Sequence, residues 1–298
     1  MRVLVLGSKG QLGRCLCDQL GKTQYEVIYT SRAEINISDL VTTKKKITDI
    51  QPNIVINASA YTAVDKAEED RQTADLINHL AVANIANICN DLACWLIHIS
   101  TDYVFDGTAD KPYREDDGTN PQGIYGGSKL NGELAIQSSG CNHLIIRTAW
   151  VFSEYGNNFL KTMLRLGFDR EKLSIVGDQV GCPTYAPDLA KAIICTLPFL
   201  ELDQQNEIYH YAGTPSCSWA EFAQSIFEEA ERLKILEKKP NIVTITSEEY
   251  LTRAKRPINS QLDSSKFEAK FGHKASDWKL GIQASVRSLY NPADTKIV

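Results

Sequence analysis

The chain has 298 residues, with 37 acidic against 32 basic side chains and a formal net charge of −5. This acidic balance gives no support for nucleic-acid binding, which usually needs a basic surface. No apolar run approaches the roughly 18 residues of a bilayer-spanning helix, so we expect no membrane segment. Met1-Arg2 leads directly into a short apolar segment, and no C-x-x-C pair occurs. We therefore expect no signal peptide, and a cytoplasmic protein with reduced thiols.

Strands alternate with helices along the first half of the chain, as expected for parallel sheets with crossover helices. The predicted elements, in order, are a strand at Val3–Leu6, a helix through Leu12, Leu16 and Leu20, a strand at Val27–Tyr29, a helix at Leu40–Ile50, a strand at Ile54–Ile56, a helix at Thr73–Asp91, a strand at Trp95–Ile99, a helix at Tyr125–Gln137 and a strand at Leu144–Ile146. This order predicts an α/β protein with a Rossmann-like, doubly wound parallel sheet.

The alternation loosens after Trp150. Helices are predicted at Asn158–Phe168, Pro187–Leu197 and Trp219–Leu233, and the last sixty residues mix short strand-like and helical pieces. We expect residues 1–150 to form a dinucleotide-binding core, with segments from about 185–200 returning to it. Residues 151–298 would then form mainly a smaller mixed α/β lobe that binds substrate.

Three glycines follow the first predicted strand and precede the first helix: Gly7, Gly10 and Gly13. Glycines let a backbone approach a pyrophosphate, and the start of a helix favours its negative charge. The context matches that of a dinucleotide-binding turn, although the spacing G-x-x-G-x-x-G differs from the usual G-x-G-x-x-G.

The second predicted strand ends at Thr30-Ser31-Arg32, where such folds meet the adenosine ribose. An acidic side chain there would suit a free 2′-hydroxyl. Arg32 can instead pair with a 2′-phosphate, so we expect NADP(H) as cofactor, with NAD(H) as the alternative.

Tyr125 and Lys129 lie four residues apart on a predicted helix and therefore share one face. A lysine cation near a phenol favours the phenolate, so the sequence predicts a lowered pKa for Tyr125. A hydroxyl from Thr101, after the fourth strand, would lie beside it and bind a substrate carbonyl. Small residues of the stretch Asn57–Tyr61 would let a cofactor lie close to the sheet edge.

These stretches together resemble the dTDP-4-dehydrorhamnose reductase family, within the extended short-chain dehydrogenases/reductases. The resemblance covers nearly the whole chain and includes Asn57–Glu68, Gly156–Phe159, Asp178–Thr184 and Arg256–Ser260. It implies reduction of dTDP-4-dehydro-β-L-rhamnose to dTDP-β-L-rhamnose, the last step of dTDP-L-rhamnose biosynthesis.

The resemblance also implies roles for individual residues. Tyr125 would protonate the new O4, Lys129 would hold the nicotinamide ribose, and Thr101 would bind O4. The residues expected to contact the cofactor are Gly10, Gln11 and Leu12 at the pyrophosphate, and Ser59, Ala60 and Tyr61 along its border. Those expected to contact the nucleotide-sugar are Tyr103, Val104 and Trp150.

Two departures from the family pattern affect these expectations. Asn36-Ile37 stands at the adenine-side turn, where many relatives carry an Asp, and is assigned to the cofactor site with that difference. No carboxylate lies in Arg14–Cys17, where some relatives have a glutamate that helps to bind magnesium, so no metal is predicted. As a separate hypothesis, Arg256 would pair with the substrate diphosphate.

Alternatives remain open from the sequence alone. A nucleotide-sugar dehydratase usually has an Asp-Glu pair after the threonine, whereas Thr101 is followed by Asp102-Tyr103. A regulatory subunit resembling the β-subunit of methionine adenosyltransferase would have the same fold without turnover. A third alternative is a 4-ketoreductase that makes another dTDP-6-deoxy-hexose, such as 6-deoxy-L-talose. A homodimer is expected from the resemblance only.

Overall fold

Six parallel strands form the central sheet of the computed structural model, which describes residues 1–200 and 206–290. The strands of the whole structure are β1 (Arg2–Leu6), β2 (Glu26–Thr30), β3 (Ile54–Asn57), β4 (Trp95–Thr101), β5 (His143–Thr148), β6 (Val151–Phe152), β7 (Lys172–Val176), β8 (Val180–Gly181), β9 (Thr184–Tyr185), β10 (Glu207–His210), β11 (Cys217–Ser218) and β12 (Asn241–Ile245). The central sheet has the order β10-β5-β4-β3-β1-β2. Leu6 pairs with Thr30 and Asn57, and Thr101 pairs with Thr148, so these strands end at one edge.

Helices cover both faces of this sheet, which confirms the predicted doubly wound α/β fold. They are α1 (Gln11–Leu20), α2 (Leu40–Ile50), α3 (Val64–Ala67), α4 (Arg71–Asp75), α5 (Ala81–Asp91), α6 (Ile124–Ser138), α7 (Phe159–Asp169), α8 (Ala186–Thr196), α9 (Trp219–Arg232), α10 (Ser265–Phe271) and α11 (Trp278–Tyr290). Within the described residues, none of them combines the length and apolar character that crossing a bilayer would require.

Side chains that alternate along β1 build two separate cores, because successive residues of a strand point to opposite faces. Val3 and Val5 pack with residues of α1 and α8, whereas Leu4 and Leu6 pack with residues of α2, α5 and α6. All four side chains are almost fully buried. A strand that is apolar on both faces is therefore required at this position, and the run Val3–Leu6 provides it.

The edge of the sheet next to β5 is formed by a strand that the sequence analysis did not predict. β10 pairs in parallel with β5, with Ile208 opposite Ile145. The segment has only four residues, Glu-Ile-Tyr-His, and its ends are polar, so it lacks the apolar run that marked the other strands. Residues beyond the predicted returning segment of about 185–200 thus also belong to the central sheet.

A second lobe is built from α7, α9 and α11, with β7 and β12 paired in parallel beside them. Its core contains Phe222, Phe227, Trp278 and Ile282, all almost fully buried. A capping box begins α9: Ser218 Oγ accepts from Glu221 N at 3.2 Å, and the Glu221 carboxylate accepts from Ser218 N at 2.7 Å.

The predicted helix Thr73–Asp91 differs from the structure in its start and its regularity. It begins as α4 and continues into α5 through a π-helical turn at Leu76–Leu80. Asn78 lies buried in this turn, where its side chain exchanges hydrogen bonds with the Tyr61 backbone and donates to Ser128 Oγ of α6 at 3.0 Å. The irregular turn thus ties α6 to the segment that follows β3.

Candidate active site

A cleft of about 480 Å³ opens at the carboxyl-terminal edge of the central sheet. This is the usual place for ligands in open α/β sheets. Most of the residues selected from the sequence lie in it. The predicted site residues that line the cleft are Gly10, Gln11, Leu12, Ser59, Ala60, Thr101, Tyr103, Tyr125, Lys129, Trp150 and Arg256.

The glycine turn forms one end of this cleft. Gly7 has a φ of +83°, and a Cβ on Gly13 would lie 2.1 Å from the Gly7 carbonyl oxygen, so α1 packs directly on the turn. Gly10 is the N-cap of α1, where no side chain caps the helix and no acidic residue occupies the first turn. The free backbone N–H groups of this helix start suit an anionic pyrophosphate.

Tyr125 and Lys129 project from the first turns of α6 into the cleft. A Cβ on Gly126 would lie 2.1 Å from the Tyr103 carbonyl oxygen, so this glycine lets α6 approach the turn after β4. The rings of Tyr125 and Tyr103 consequently meet edge to face, with centroids 5.6 Å apart. The helix and the end of β4 therefore present one composite surface.

Lys129 is 1% exposed, and its Nζ donates to the Ile99 carbonyl oxygen at 2.6 Å. Burial lowers the pKa of Lys129 to about 8, while the charge of Glu133 raises it. Glu133 forms a buried ion pair with Arg147 of β5, with 2.7 Å between Oε2 and Nη2. The amine is thus held in a dry site where its charge is costly.

His98 contacts Lys129, and Asn57 in turn contacts His98. Neither side chain was among the site residues predicted from the sequence. His98 Nε2 lies 3.0 Å from Lys129 Nζ, and its Nδ1 lies 3.2 Å from Asn57 Nδ2. The Asn57 side-chain oxygen accepts from Ser59 N at 3.1 Å. Burial and the charge of Lys129 hold the pKa of His98 well below its usual range, so its ring is neutral. A single histidine within an apolar strand was the available sequence signal.

Thr101 ends β4 next to Tyr125. Its hydroxyl donates to Asp102 Oδ1 at 2.9 Å and accepts from Tyr103 N at 3.2 Å.

The expectation that Lys129 lowers the pKa of Tyr125 is wrong, because the surroundings of Tyr125 in the protein raise that pKa. Burial raises that pKa, the nearby Asp102 and Tyr103 add to the rise, and a hydrogen bond with Thr101 opposes it. The Lys129 amine instead contacts His98 and Ile99.

The opposite wall of the cleft comes from the second lobe. Trp150 stacks on Trp219 of α9 with ring centroids 3.4 Å apart, and both rings line the cleft. Arg256 donates to the Tyr103 hydroxyl at 2.8 Å and to Asp65 Oδ2 at 2.5 Å. Its guanidinium borders the cleft and also an adjoining cavity of about 530 Å³.

That adjoining cavity has mainly apolar walls, which the sequence analysis did not identify. Its apolar and aromatic lining residues include Phe159, Met163, Leu166, Trp219 and Tyr250. Flat aromatic walls of this kind suit a nucleobase. Their positions on α7 and α9 and in a loop are far apart in sequence, so no local motif indicated them.

Seven predicted site residues lie outside the cleft lining. Gly7 and Gly13 form the tight turn behind it, and Tyr61 contacts Asp70 through its hydroxyl at 3.3 Å. Arg32 and Asn36 are exposed beyond β2. The side chains of Ile37 and Val104 are buried in the core, so only their backbones are available to a ligand. Among the described residues, no group of three or more His, Cys, Asp or Glu side chains could hold a metal ion.

Known proteins are similar to nearly the whole chain. The profile of the family described as "RmlD substrate binding domain" matches residues 1–291. A dTDP-4-dehydrorhamnose reductase of Aggregatibacter actinomycetemcomitans is 40% identical over 285 residues, which are 95% of this chain and 97% of that protein.

Solved structures agree with this sequence similarity. A dTDP-4-dehydrorhamnose reductase from Clostridium acetobutylicum superposes with a TM-score of 0.90 at 36% identity, covering 97% of this chain and 99% of the other. One from Bacillus anthracis, solved in complex with NADP, has a TM-score of 0.88 at 34% identity and covers 96% and 99%. The chain therefore belongs to the dTDP-4-dehydrorhamnose reductase family.

Proposed function

We propose that this protein reduces the 4-keto group of dTDP-4-dehydro-β-L-rhamnose to give dTDP-β-L-rhamnose, with NADPH as the hydride donor. The observation that carries the proposal is the convergence of Thr101, Tyr125 and Lys129 in one cleft, beside the glycine turn. Hydride addition to a ketone needs a proton donor at the carbonyl oxygen, and a phenol and a hydroxyl side by side supply such donors.

The residues present fit a dinucleotide. Gly10, Gln11 and Leu12 would hold the pyrophosphate at the start of α1, where no acidic side chain competes for the backbone N–H groups. Ser59 and Ala60 would border the cofactor, and Arg32 would pair with a 2′-phosphate beyond β2. When bound, the nicotinamide supplies the hydride.

The proton comes from this chain's own side chains. Tyr125 would donate its phenolic proton to O4, since its raised pKa keeps the group protonated at neutral pH and the oxygen formed by hydride addition is a stronger base than a phenolate. Thr101 would bind O4 and share the developing negative charge. Lys129, whose pKa is lowered to about 8, would bind the nicotinamide ribose and can exchange a proton near neutral pH.

The second lobe would hold the nucleotide-sugar. Trp150 and Tyr103 face the cleft, and the adjoining cavity offers Phe159 and Trp219 as flat walls for the thymine. Arg256 lies at the junction of the two spaces, where a diphosphate between the sugar and the nucleoside would pass. Guanidinium groups bind phosphates through paired hydrogen bonds, so Arg256 fits that role.

The test is a reaction with NADPH and dTDP-4-dehydro-β-L-rhamnose, followed by NMR of the product sugar. We expect NADPH oxidation and a product with rhamnose configuration at C4. A 6-deoxy-L-talose product would show hydride delivery to the opposite face and would replace the proposed product. Cofactor binding without NADPH oxidation would overturn the enzymatic proposal and favour the regulatory alternative.

A further inference from the structure

The carboxyl group of Asp102 contacts the Thr101 hydroxyl and lies close to Tyr125, the proposed proton donor. Asp102 is 3% exposed and follows Thr101 at the end of β4. Its Oδ1 accepts from Thr101, whereas its Oδ2 has no partner of good hydrogen-bond geometry among the described residues. The Ser260 hydroxyl is close enough to stabilise the carboxylate weakly, but it donates to the Val180 carbonyl oxygen. None of the ion pairs formed by those residues includes Asp102. A buried carboxylate with one unsatisfied oxygen and no paired cation is costly, so this environment favours the protonated acid.

The hydroxyl of Thr101 has one proton and two lone pairs. One lone pair accepts from Tyr103 N at 3.2 Å. When Asp102 is ionised, the only proton of Thr101 goes to Asp102 Oδ1 at 2.9 Å. Thr101 then has no proton for a substrate carbonyl and can only accept a hydrogen bond from a neighbouring donor such as Tyr125.

Protonation of Asp102 reverses this direction. The acid O–H can donate to the second lone pair of Thr101 Oγ1, so the hydroxyl proton of Thr101 becomes free. That proton can point into the cleft, towards the position of a ketone oxygen. Tyr125 no longer needs Thr101 as an acceptor, and its own proton is free for the same oxygen.

We propose that Asp102 is a positioning acid: in its protonated form it turns the Thr101 hydroxyl towards the substrate ketone, and in its ionised form it captures that hydroxyl. The proton of Asp102 stays on Asp102 throughout, and the proton that reaches the substrate comes from Tyr125. This inference rests on the proposed reductase function, since it concerns the same cleft.

The surroundings of Asp102 place its pKa near neutral pH, where the enzyme would work. Burial raises the pKa of Asp102 to about 7, against the opposing effects of Thr101, its own backbone N–H, the Ser260 hydroxyl and the charge of Arg256. The titratable or charged groups that face it are Tyr103 beside it, Tyr125 on α6, Cys182 after β8, and Arg256. The two phenols and the thiol have raised pKa values and stay neutral, and Arg256 already pairs with Asp65.

The pH dependence of kcat/KM tests this inference without any substitution. We expect kcat/KM for the ketone to be level below pH 7 and to fall by up to about tenfold per pH unit above it, as Asp102 ionises. A profile that stays level from pH 6 to pH 8.5, in an enzyme that turns over, would overturn the inference and leave the proposed reaction intact.

A variant then assigns the descending limb to this residue. Asp102→Asn keeps a donor towards Thr101 but cannot ionise, so we expect at least half of the wild-type kcat/KM at pH 6. Its profile should be level up to about pH 7.5, below the range in which Lys129, with a pKa of about 8, loses its proton. Asp102→Ala also abolishes the limb, but it leaves Thr101 unsupported and should lose about tenfold at all pH values. Asp116→Asn, which removes an exposed carboxylate, should retain the wild-type profile.

Two results with Asp102→Asn would overturn the inference. One is a descending limb identical to that of the wild type. The other is a loss of more than a hundredfold at pH 6 in a variant that still binds NADPH, because that result would show that a carboxylate is required. If Asp102→Asn fails to bind NADPH, the midpoint of the wild-type limb decides, because a midpoint near pH 7 matches Asp102 and one near pH 8 matches Lys129 and would overturn the inference. If Tyr125→Phe loses turnover while Asp102→Asn keeps the descending limb of the wild type, this inference fails and the proposed reaction stands.

Discussion

The two ends of the cofactor-facing edge of the sheet are built in opposite ways. At the catalytic end, Lys129 and His98 are almost fully buried and contact each other at 3.0 Å. At the end proposed for adenosine, Arg32 and Asn36 lie exposed beyond β2. Electrostatic contacts are worth more where water is excluded, and exposed ones are screened. With the proposed roles, chemistry would be fixed at the buried end, while cofactor preference would depend on weaker, exposed contacts at the other.

The largest effect should follow from Tyr125→Phe, at the buried end. Removal of the phenolic proton donor should lower kcat by roughly 10²–10⁴-fold. NADPH binding should persist because the ring still packs against Tyr103. Stopped-flow turnover and fluorescence titration with NADPH measure the two effects separately. Tyr290→Phe, on α11, is the matched control, and near-normal turnover in Tyr125→Phe would remove this phenol from the mechanism.

An intermediate effect is expected from Arg256→Ala, because Arg256 is less buried than Lys129 and less exposed than Arg32. The Arg256 side chain is 23% exposed and pairs with Asp65. Loss of a charge-assisted contact costs about 1.5–3 kcal/mol, so the KM for the nucleotide-sugar should rise roughly 10- to 100-fold, with kcat much less affected.

Arg253→Ala is a suitable control for that experiment, because Arg253 is in the same loop and pairs with the exposed Glu69. Asp65→Asn should lower the KM, since it frees the guanidinium for the diphosphate. An unchanged KM in Arg256→Ala would mean that the diphosphate binds elsewhere.

The smallest effect belongs to Arg32→Ala, at the exposed end. A screened contact of about 1 kcal/mol predicts a roughly fivefold higher KM for NADPH and an unchanged KM for NADH. Steady-state kinetics with both cofactors measures the ratio, and Lys238→Ala removes a similar charge from a loop of the second lobe. Equal changes for NADPH and NADH would contradict a role for Arg32 at the 2′-phosphate.

The sequence predicted best what local patterning determines. Buried parallel strands require apolar runs such as Val3–Leu6, and the close approach of α1 to its turn requires Gly13, so both were visible without a structure. The pair Tyr125 and Lys129 was visible because helical spacing fixes its common face.

What the sequence did not predict depends on contacts between distant segments. The short strand β10 is specified by its pairing with β5 and not by its own four residues. The Lys129 amine was expected to influence Tyr125, but its hydrogen bonds go to His98 and Ile99, which only the packing of α6 on β4 determines. The aromatic walls around Trp219 likewise combine side chains of α7 and α9.

The position of β10 has a consequence for synthesis of the chain. Because β5 receives its outer neighbour from residues 207–210, a nascent chain stalled near residue 150 would present an unpaired β5 edge. α1 would also lack α8, which shares its core. On the ribosome, the central sheet is therefore completed only after α7 and β7 of the second lobe have been synthesised, and a fragment that ends at residue 150 should aggregate.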